Sequence, residues 1–306
     1  MSAQIALTGA TGFIGRRVLE RLLTAGLQIR ALSRRPNALP AHPRLVEIRG
    51  DLDERAAIER LVDGCDAAVH LAGAVAGRNF ADFARVNAAG TARLVHALEQ
   101  HNPGCRLILV SSLAAREPAL SDYAASKLAG EEVVASSPLD WFILRPPAVY
   151  GPDDPALAPL WRMLAAGWLL RAGPARARFS LLHVDDLADA IDGLLHLPCL
   201  GRERHCLDDG RPGGWRWSDI AAAAERVGGR PVRIVPLPRL LLGAAGRMSQ
   251  GWSRLRRTPA ILSPGKAREL THIDWVCDSR LAEVLKDWSP QRDLESALPE
   301  LPGWRR

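Results

Sequence analysis

Three residues near the middle of the chain could do chemistry together. Tyr123 and Lys127 stand four apart in a stretch of helical composition, so a phenol and an ammonium share one helix face and can converge on one ligand. Eleven residues before Tyr123 stands Ser112, and the pair Ser111-Ser112 closes an apolar run at 107–110. A lone Tyr-x-x-x-Lys is a common coincidence. Here it falls between a strand ending in Ser-Ser and another apolar run at 141–144, which places both halves at one edge of a sheet.

A second cluster lies at the start of the chain. Thr8-Gly9-Ala10-Thr11-Gly12-Phe13-Ile14-Gly15 follows an apolar run at 5–7 and precedes helical spacing at 15–25. Gly9 permits a tight turn, Gly12 lets the backbone approach a diphosphate, and Gly15 lets the helix lie close to the strand. A helix N-terminus at this point offers free N–H groups and partial positive charge to phosphates. The pattern predicts a dinucleotide site. A NAD-specific site usually holds an acid at the end of the second strand; this chain has Ser33 and then Arg34. Arg34 can pair with a 2′-phosphate, so NADP(H) is favoured and NAD(H) remains open; the alternative is that Arg34 and Arg35 are solvated loop charges. Asp51, in Gly50-Asp51-Leu52, is placed to accept from an adenine amino group.

These clusters need a scaffold. Strand-like runs at 5–7, 28–32, 45–48, 67–71, 107–110 and 141–144 alternate with helical stretches at 15–25, 55–62, 80–100 and 123–135. Such alternation predicts an α/β fold: a Rossmann doubly wound parallel sheet with helices on both faces. After Gly151-Pro152 the alternation is lost and prolines and tryptophans become frequent. Residues 1–150, with about 178–201 returning to them, read as the dinucleotide domain. Residues 151–177 and 202–306 read as a smaller C-terminal substrate lobe.

The chain resembles the extended short-chain dehydrogenases/reductases, the NAD-dependent epimerase/dehydratase group. The pieces that carry the resemblance are the glycine turn, Gly50-Asp51-Leu52, His70-Leu71-Ala72-Gly73 and Val86-Asn87-Ala88-Ala89-Gly90-Thr91. They continue with Ser111-Ser112, Tyr123-Ala124-Ala125-Ser126-Lys127, the run at 144–152 and His183-Val184-Asp185-Asp186-Leu187. They follow the family order and cover about residues 4–190; beyond them only Trp275, Asp278 and Trp288-Ser289-Pro290 match loosely. The resemblance implies that Tyr123 is the general acid/base and that Lys127 binds the nicotinamide ribose and lowers the phenol pKa. It implies that Ser112 holds the reacting oxygen, with Ser111 the less favoured of the pair. Cofactor contacts fall on Gly9, Thr11, Gly12, Phe13, Ile14, Gly15, Ser33, Arg34, Asp51, Leu52, Leu71, Ala72, Gly73, Ser111, Tyr123, Lys127, Pro146 and Val149. Many relatives dimerise through two helices per subunit, so a homodimer through 80–100 and 123–135 is an open expectation. The segment between Ser112 and Tyr123 is shorter than in many sugar-nucleotide epimerases, which would leave the cleft wider or more apolar.

Composition narrows the partners. The 306 residues are 47% hydrophobic and 24% charged, ordinary for a soluble globular protein. The net charge of +6 rests on 40 basic residues, of which only Lys127, Lys266 and Lys286 are lysines. The arginines are scattered rather than clustered in a tail, so no nucleic-acid partner is expected. Five cysteines without ligand spacing read as reduced thiols of a cytoplasmic protein, and no signal peptide is expected. No metal site is expected; His70, His183 and the Asp185-Asp186 pair read as structural. Trp215, Trp217, Trp252, Trp275, Trp288 and Trp304 read as packing. The apolar-then-basic stretch 237–257 reads first as a lobe helix with a solvated face, with contact to a membrane surface or an apolar substrate as the alternative.

Three functions remain. The favoured one is an NAD(P)-dependent oxidoreductase acting on a hydroxyl or ketone of an apolar or ring-bearing small molecule, as the similarity to dihydroflavonol reductases and 3β-hydroxysteroid dehydrogenases implies. A nucleotide-sugar epimerase or dehydratase usually has an asparagine after the Val-Tyr-Gly-Pro segment. None occurs between Pro152 and Arg178, although Arg162, Arg171, Arg176 and Arg178 could grip phosphates. A cofactor-binding subunit without turnover is the third, and the complete Ser112, Tyr123 and Lys127 set argues against it.

Overall fold

The structure, a computed structural model, describes residues 3–256, 262–286 and 288–304. The side chains at 239, 245 and 250–255 lie outside that description, so the packing expected of Trp252 falls outside it, as does the last residue of the stretch 237–257.

Apolar runs become strands: β1 (Gln4–Thr8), β2 (Gln28–Ser33), β3 (Leu45–Arg49), β4 (Ala67–His70), β5 (Arg106–Val110) and β6 (Asp140–Arg145). Between them lie α1 (Phe13–Thr24), α2 (Arg55–Val62), α3 (Phe80–Ala84), α4 (Thr91–His101) and α5 (Asp122–Ala135). Beyond β6 come β7 (Ala148–Tyr150), α6 (Ala158–Ala165), β8 (Trp168–Ala172), β9 (Arg178–Phe179), β10 (Leu181–His183) and α7 (Val184–Leu195). The chain continues with β11 (Glu203–Cys206), α8 (Trp217–Gly228), β12 (Arg233–Leu237), α9 (Arg239–Arg256) and α10 (Pro264–Thr271). It ends in β13 (Asp274–Trp275), α11 (Leu281–Val284) and α12 (Leu294–Ala297).

The main sheet has the order β11-β6-β5-β4-β1-β2-β3, and every pairing in it is parallel. Both faces are covered. Ile5 and Leu7 of β1 point toward Val18 and Leu22 of α1 and Ile191 of α7, while Ala6 between them joins Ile58, Leu61, Leu94 and Leu98 of α2 and α4. That alternation on one central strand is the doubly wound expectation realised. The order of connection reverses between β1 and β4, so their carboxyl ends open the crevice where α/β folds take ligands.

The helix expected over 80–100 is one helical course interrupted by a π turn at Arg85–Gly90. The cause is local crowding. A Cβ on Gly130 of α5 would lie 2.1 Å from the Asn87 carbonyl oxygen, so two helix backbones touch, and the Asn87 side chain is tied to Ala74. α7 packs on α1, with Arg21 bridging Asp189 at 2.7 Å and Asp192 at 2.9 Å. The lobe boundaries differ in two places. β11, assigned above to the lobe, is the edge strand of the main sheet beside β6. β9, assigned to the main domain, pairs instead with β13 of the lobe. Both are short pairings across large sequence separations, set by tertiary contact rather than by local pattern.

The lobe core gathers Trp161, Leu164, Leu169, Trp215, Ile220, Ala224, Leu294 and Leu298. Trp215 donates its indole N–H to Asp209 at 2.5 Å, and Trp288 donates to the Asp186 carbonyl at 3.2 Å, so these tryptophans pack as expected. Among the described residues no helix is long and apolar enough to cross a membrane, and no cluster of His, Cys, Asp and Glu has metal-binding geometry.

Candidate active site

The glycine turn is held by its own compactness. Gly9 has φ +77, and a Cβ there would lie 2.6 Å from the Ala72 nitrogen. A Cβ on Gly15 would lie 2.0 Å from the Gly9 carbonyl oxygen. Gly9 thus brings the turn against the end of β4, and Gly15 seats α1 on the turn. Thr8 accepts the Ala72 N–H at 3.2 Å on its hydroxyl and the Leu71 N–H at 3.2 Å on its carbonyl. The expected contacts Gly9, Leu71 and Ala72 are therefore neighbours in space. Gly12 is the N-cap of α1 and no side chain caps that end. Thr11 and Gly12 are exposed, while Phe13 and Ile14 are half-buried at the first turn. An uncapped helix start beside exposed glycine fits a diphosphate.

Ser33 is buried at the end of β2, where its hydroxyl donates to the Arg35 carbonyl at 2.8 Å; Arg34 is exposed beside it. Asp51 accepts the Asp53 N–H at 2.7 Å. Leu52 is buried against Gly90 of the π turn.

Ser112 lies near Tyr123, and Lys127 stands one helical turn further along α5. Ser112 ends the loop after β5 and its Oγ accepts the Ala114 N–H at 3.2 Å, which leaves its own hydrogen to donate. Its hydroxyl lies near enough to the Tyr123 phenol to hold the phenol pKa down. Tyr123 stands in the first turn of α5 with its ring edge-on to Phe83, centroids 6.0 Å apart. One helical turn on, the buried Lys127 ammonium donates to the Val110 carbonyl at 3.0 Å. A Cβ on Gly73 would come within 3.7 Å of Lys127 Nζ and 3.2 Å of Asn87 Oδ1, so Gly73 leaves the room that the lysine head occupies.

Burial lowers the Lys127 pKa to about 8, against the Glu131 charge, which raises it. Burial raises the Tyr123 phenol above its ordinary value; the nearby Ser112 hydroxyl opposes this and Glu269 adds to it. The expected depression of the phenol by Lys127 is thus reversed here. Desolvation of the ring end dominates, and the ammonium is turned to the Val110 carbonyl.

Two supporting residues, Glu131 and Asn87, have no assigned role among the expectations above. Glu131, fully buried one turn beyond Lys127, accepts from Ser111 at 2.5 Å and from Arg145 at 2.5 and 2.9 Å. Ser111 is thereby engaged on the far side of the lysine, which leaves Ser112 to face Tyr123. The i, i+4 spacing of Lys127 and Glu131 was the signal available. Asn87 accepts the Ala74 N–H at 2.7 Å and donates to Ser126 at 2.9 Å, joining α5 to the loop after β4. His70, buried between Thr8 at 2.6 Å and Thr91 at 3.0 Å, is kept neutral, with its pKa lowered to about 3 by burial and by Lys127. Pro146 is buried, its carbonyl accepting the Leu113 N–H at 2.8 Å, and Val149 lies half-buried on β7. Of the four arginines that could have gripped phosphates, Arg178 pairs with Asp274 at 3.4 Å.

Known proteins resemble this chain in sequence and in fold. The chain is 39% identical over 280 residues to the ceramide reductase of Caulobacter vibrioides, covering 90% of this chain and 86% of that protein. It is 34% identical over 102 residues to a 3 beta-hydroxysteroid dehydrogenase/Delta 5-->4-isomerase of Mycobacterium tuberculosis, 31% of this chain and 28% of that one. The fold matches that of MoeE5 in complex with UDP-glucose and NAD, with a TM-score of 0.75 at 22% identity over 99% of this chain and 98% of the other. Residues 5–204 match the NAD dependent epimerase/dehydratase family, and the chain is an NAD(P)-binding enzyme of that family.

Proposed function

We propose that this enzyme reduces a carbonyl group on a long-chain lipid of the ceramide class, using NADPH in preference to NADH. The observation that carries the reading is the approach of Ser112 to Tyr123, one helical turn from the buried Lys127. The near full-length similarity to a ceramide reductase supports the substrate class. The nucleotide-sugar alternative has no comparable support, because the solved sugar-nucleotide enzymes resemble this chain at about 20% identity and speak for the fold alone.

The dinucleotide would lie across the carboxyl ends of β1 and β4, with its diphosphate on the start of α1 and its adenosine half toward Ser33, Arg34, Asp51 and Leu52. Leu71, Ala72, Gly73, Pro146 and Val149 would flank the nicotinamide half. When bound, the nicotinamide supplies the reducing equivalent. The chain's own groups do the rest. Ser112 donates to the carbonyl oxygen and fixes it beside the Tyr123 hydroxyl. Tyr123 delivers a proton to that oxygen as negative charge develops on it. The raised phenol pKa keeps Tyr123 protonated at neutral pH, the form a reductase needs. Lys127, held near Gly73, would bind the ribose.

The test follows NADPH absorbance with an oxo-ceramide in detergent micelles, with mass spectrometry of the lipid product and chromatographic separation of UDP-sugar epimers, whose interconversion changes neither absorbance nor mass. Reduction of the lipid and no turnover of UDP-sugars is expected. Sugar turnover without lipid reduction would replace the proposal by the epimerase reading.

A further inference from the structure

Helix α9 turns apolar side chains to the outside. Leu240, Leu241 and Met248 are 83%, 61% and 76% exposed. Leu241 and Met248 are two helical turns apart and share a face. The opposite side of the helix is the packed one. A Cβ on Gly246 would lie 3.2 Å from the Pro264 nitrogen, and Ser249 accepts the Leu262 N–H at 3.5 Å. The preceding strand continues the exposed surface. β12 pairs with β8 so that Val235 lies beside Leu170 and Arg233 beside Trp168, all four exposed. The Arg233 guanidinium stands 5.5 Å from the Trp168 ring centre.

Charge distinguishes the occupant of this surface. Residues 226–268 contain ten arginines and lysines and no aspartate or glutamate. The rest of the chain has 30 basic and 34 acidic residues, so this one segment accounts for the whole positive balance. Arg230, Arg233 and Arg247 are exposed. Exposed leucine and methionine on a helix within an acid-free basic segment is the chemistry of an interfacial helix on an anionic lipid surface. A second copy is a poor occupant, because a symmetric pair would set the two basic segments against each other.

We propose that this face of the lobe docks on an anionic phospholipid bilayer. Leu240, Leu241 and Met248 enter the acyl boundary while Arg230, Arg233 and Arg247 meet the headgroups. The docked helix packs on α10, and α10 packs on the first residues of the catalytic helix at Ser121. A lipid leaving the bilayer there has one helix to pass before Tyr123. That delivery step rests on the lipid-carbonyl reading above; the docking itself does not.

The test is co-sedimentation of the full chain, without cofactor or substrate, with vesicles of phosphatidylglycerol and phosphatidylcholine or of phosphatidylcholine alone. The expected result is at least tenfold tighter binding to the anionic vesicles, weakened by salt. Leu240→Glu with Met248→Glu should reduce it at least tenfold, with Tm and NADPH affinity unchanged. Equal binding to both vesicle types, binding to neither, or undiminished binding by the double variant would overturn the proposal. So would light scattering that shows a wild-type dimer and a monomeric double variant, which would make the face a contact between copies. Failure of the lipid-carbonyl reading shows separately, as absence of NADPH oxidation in detergent micelles, where docking is not needed.

Discussion

Ser121 donates a hydrogen bond to the Glu269 carboxylate, 148 residues further along the chain. The same hydroxyl accepts the Ala124 N–H at 3.0 Å and so caps the helix that carries Tyr123 and Lys127. Glu269 is buried, is bridged by Lys266 at 3.0 Å, and its charge raises the Tyr123 phenol. The lobe therefore holds the start of the catalytic helix and biases its proton donor.

Removing the charge tests that link. Glu269→Gln keeps the shape and takes away a negative group that disfavours phenolate. The phenol pKa should fall, and the alkaline limb of the kcat/KM profile should move to lower pH. An unmoved limb would reduce Glu269 to a strut. Ser121→Ala should cost about 1 kcal/mol in urea unfolding, the usual value of a lost N-cap.

Tyr123→Phe removes one oxygen and keeps the ring against Phe83. Turnover should fall about 10²–10⁴-fold, with NADPH affinity nearly unchanged. Ser112→Ala should lower kcat in the same direction, while Lys127→Ala should weaken both binding and rate. The three losses should not add, because the groups act as a unit. Steady-state kinetics with fluorescence titration of NADPH separates the outcomes, and near-normal turnover by Tyr123→Phe would remove the acid/base assignment.

Arg34 sits exposed beside the buried Ser33, where its guanidinium can reach a 2′-phosphate without displacing packed groups. Wild type should bind NADP(H) more tightly than NAD(H). Arg34→Ala should lose roughly 1.5–3 kcal/mol for the phosphorylated cofactor and little for the other. Equal affinities of the wild type in calorimetry would assign Arg34 to solvent.

Lys127 makes stability depend on pH in a definite direction. Its pKa is about 8 in the fold and about 10.5 in the open chain. Between those values the unfolded state holds more protons, so stability rises as pH rises through that window, and below pH 8 the buried charge is a full burden. Lys127→Met should therefore raise Tm at pH 7 while abolishing turnover, and the gain should shrink by pH 10. The gain can reach about 3 kcal/mol, less whatever the lost bond to Val110 costs. Calorimetric scans at both pH values check it, and an equal gain at both would mean the burden is steric.

What the chain discloses without a structure is what is local. The turn Gly9 to Gly15, the Ser112, Tyr123 and Lys127 spacing and the β-α alternation each lie within one or two elements, and each is where the pattern placed it. The supports are not local. Glu269 reaches Ser121 from a region of loose similarity, and no spacing announces it. The pairing of β11 with β6 and of β9 with β13 depends on segments too short to carry a periodicity. Glu131 is the intermediate case, a buried acid whose helical offset from Lys127 was readable but whose partners Ser111 and Arg145 emerge only on folding.

The contact of Gly130 with the Asn87 carbonyl has a consequence for how this enzyme can be altered. Side chains lining a cleft can be exchanged and their neighbours can change rotamer to suit. Two backbones in contact have no such adjustment, so the offset between the π turn and the catalytic helix is a fixed dimension of the molecule. Lys127 stands three residues before that contact and inherits the dimension. Redesign of specificity therefore has its freedom in lobe side chains away from Glu269, whereas a single methyl group at Gly130 would shift the ammonium and unseat the chemistry with every substrate alike.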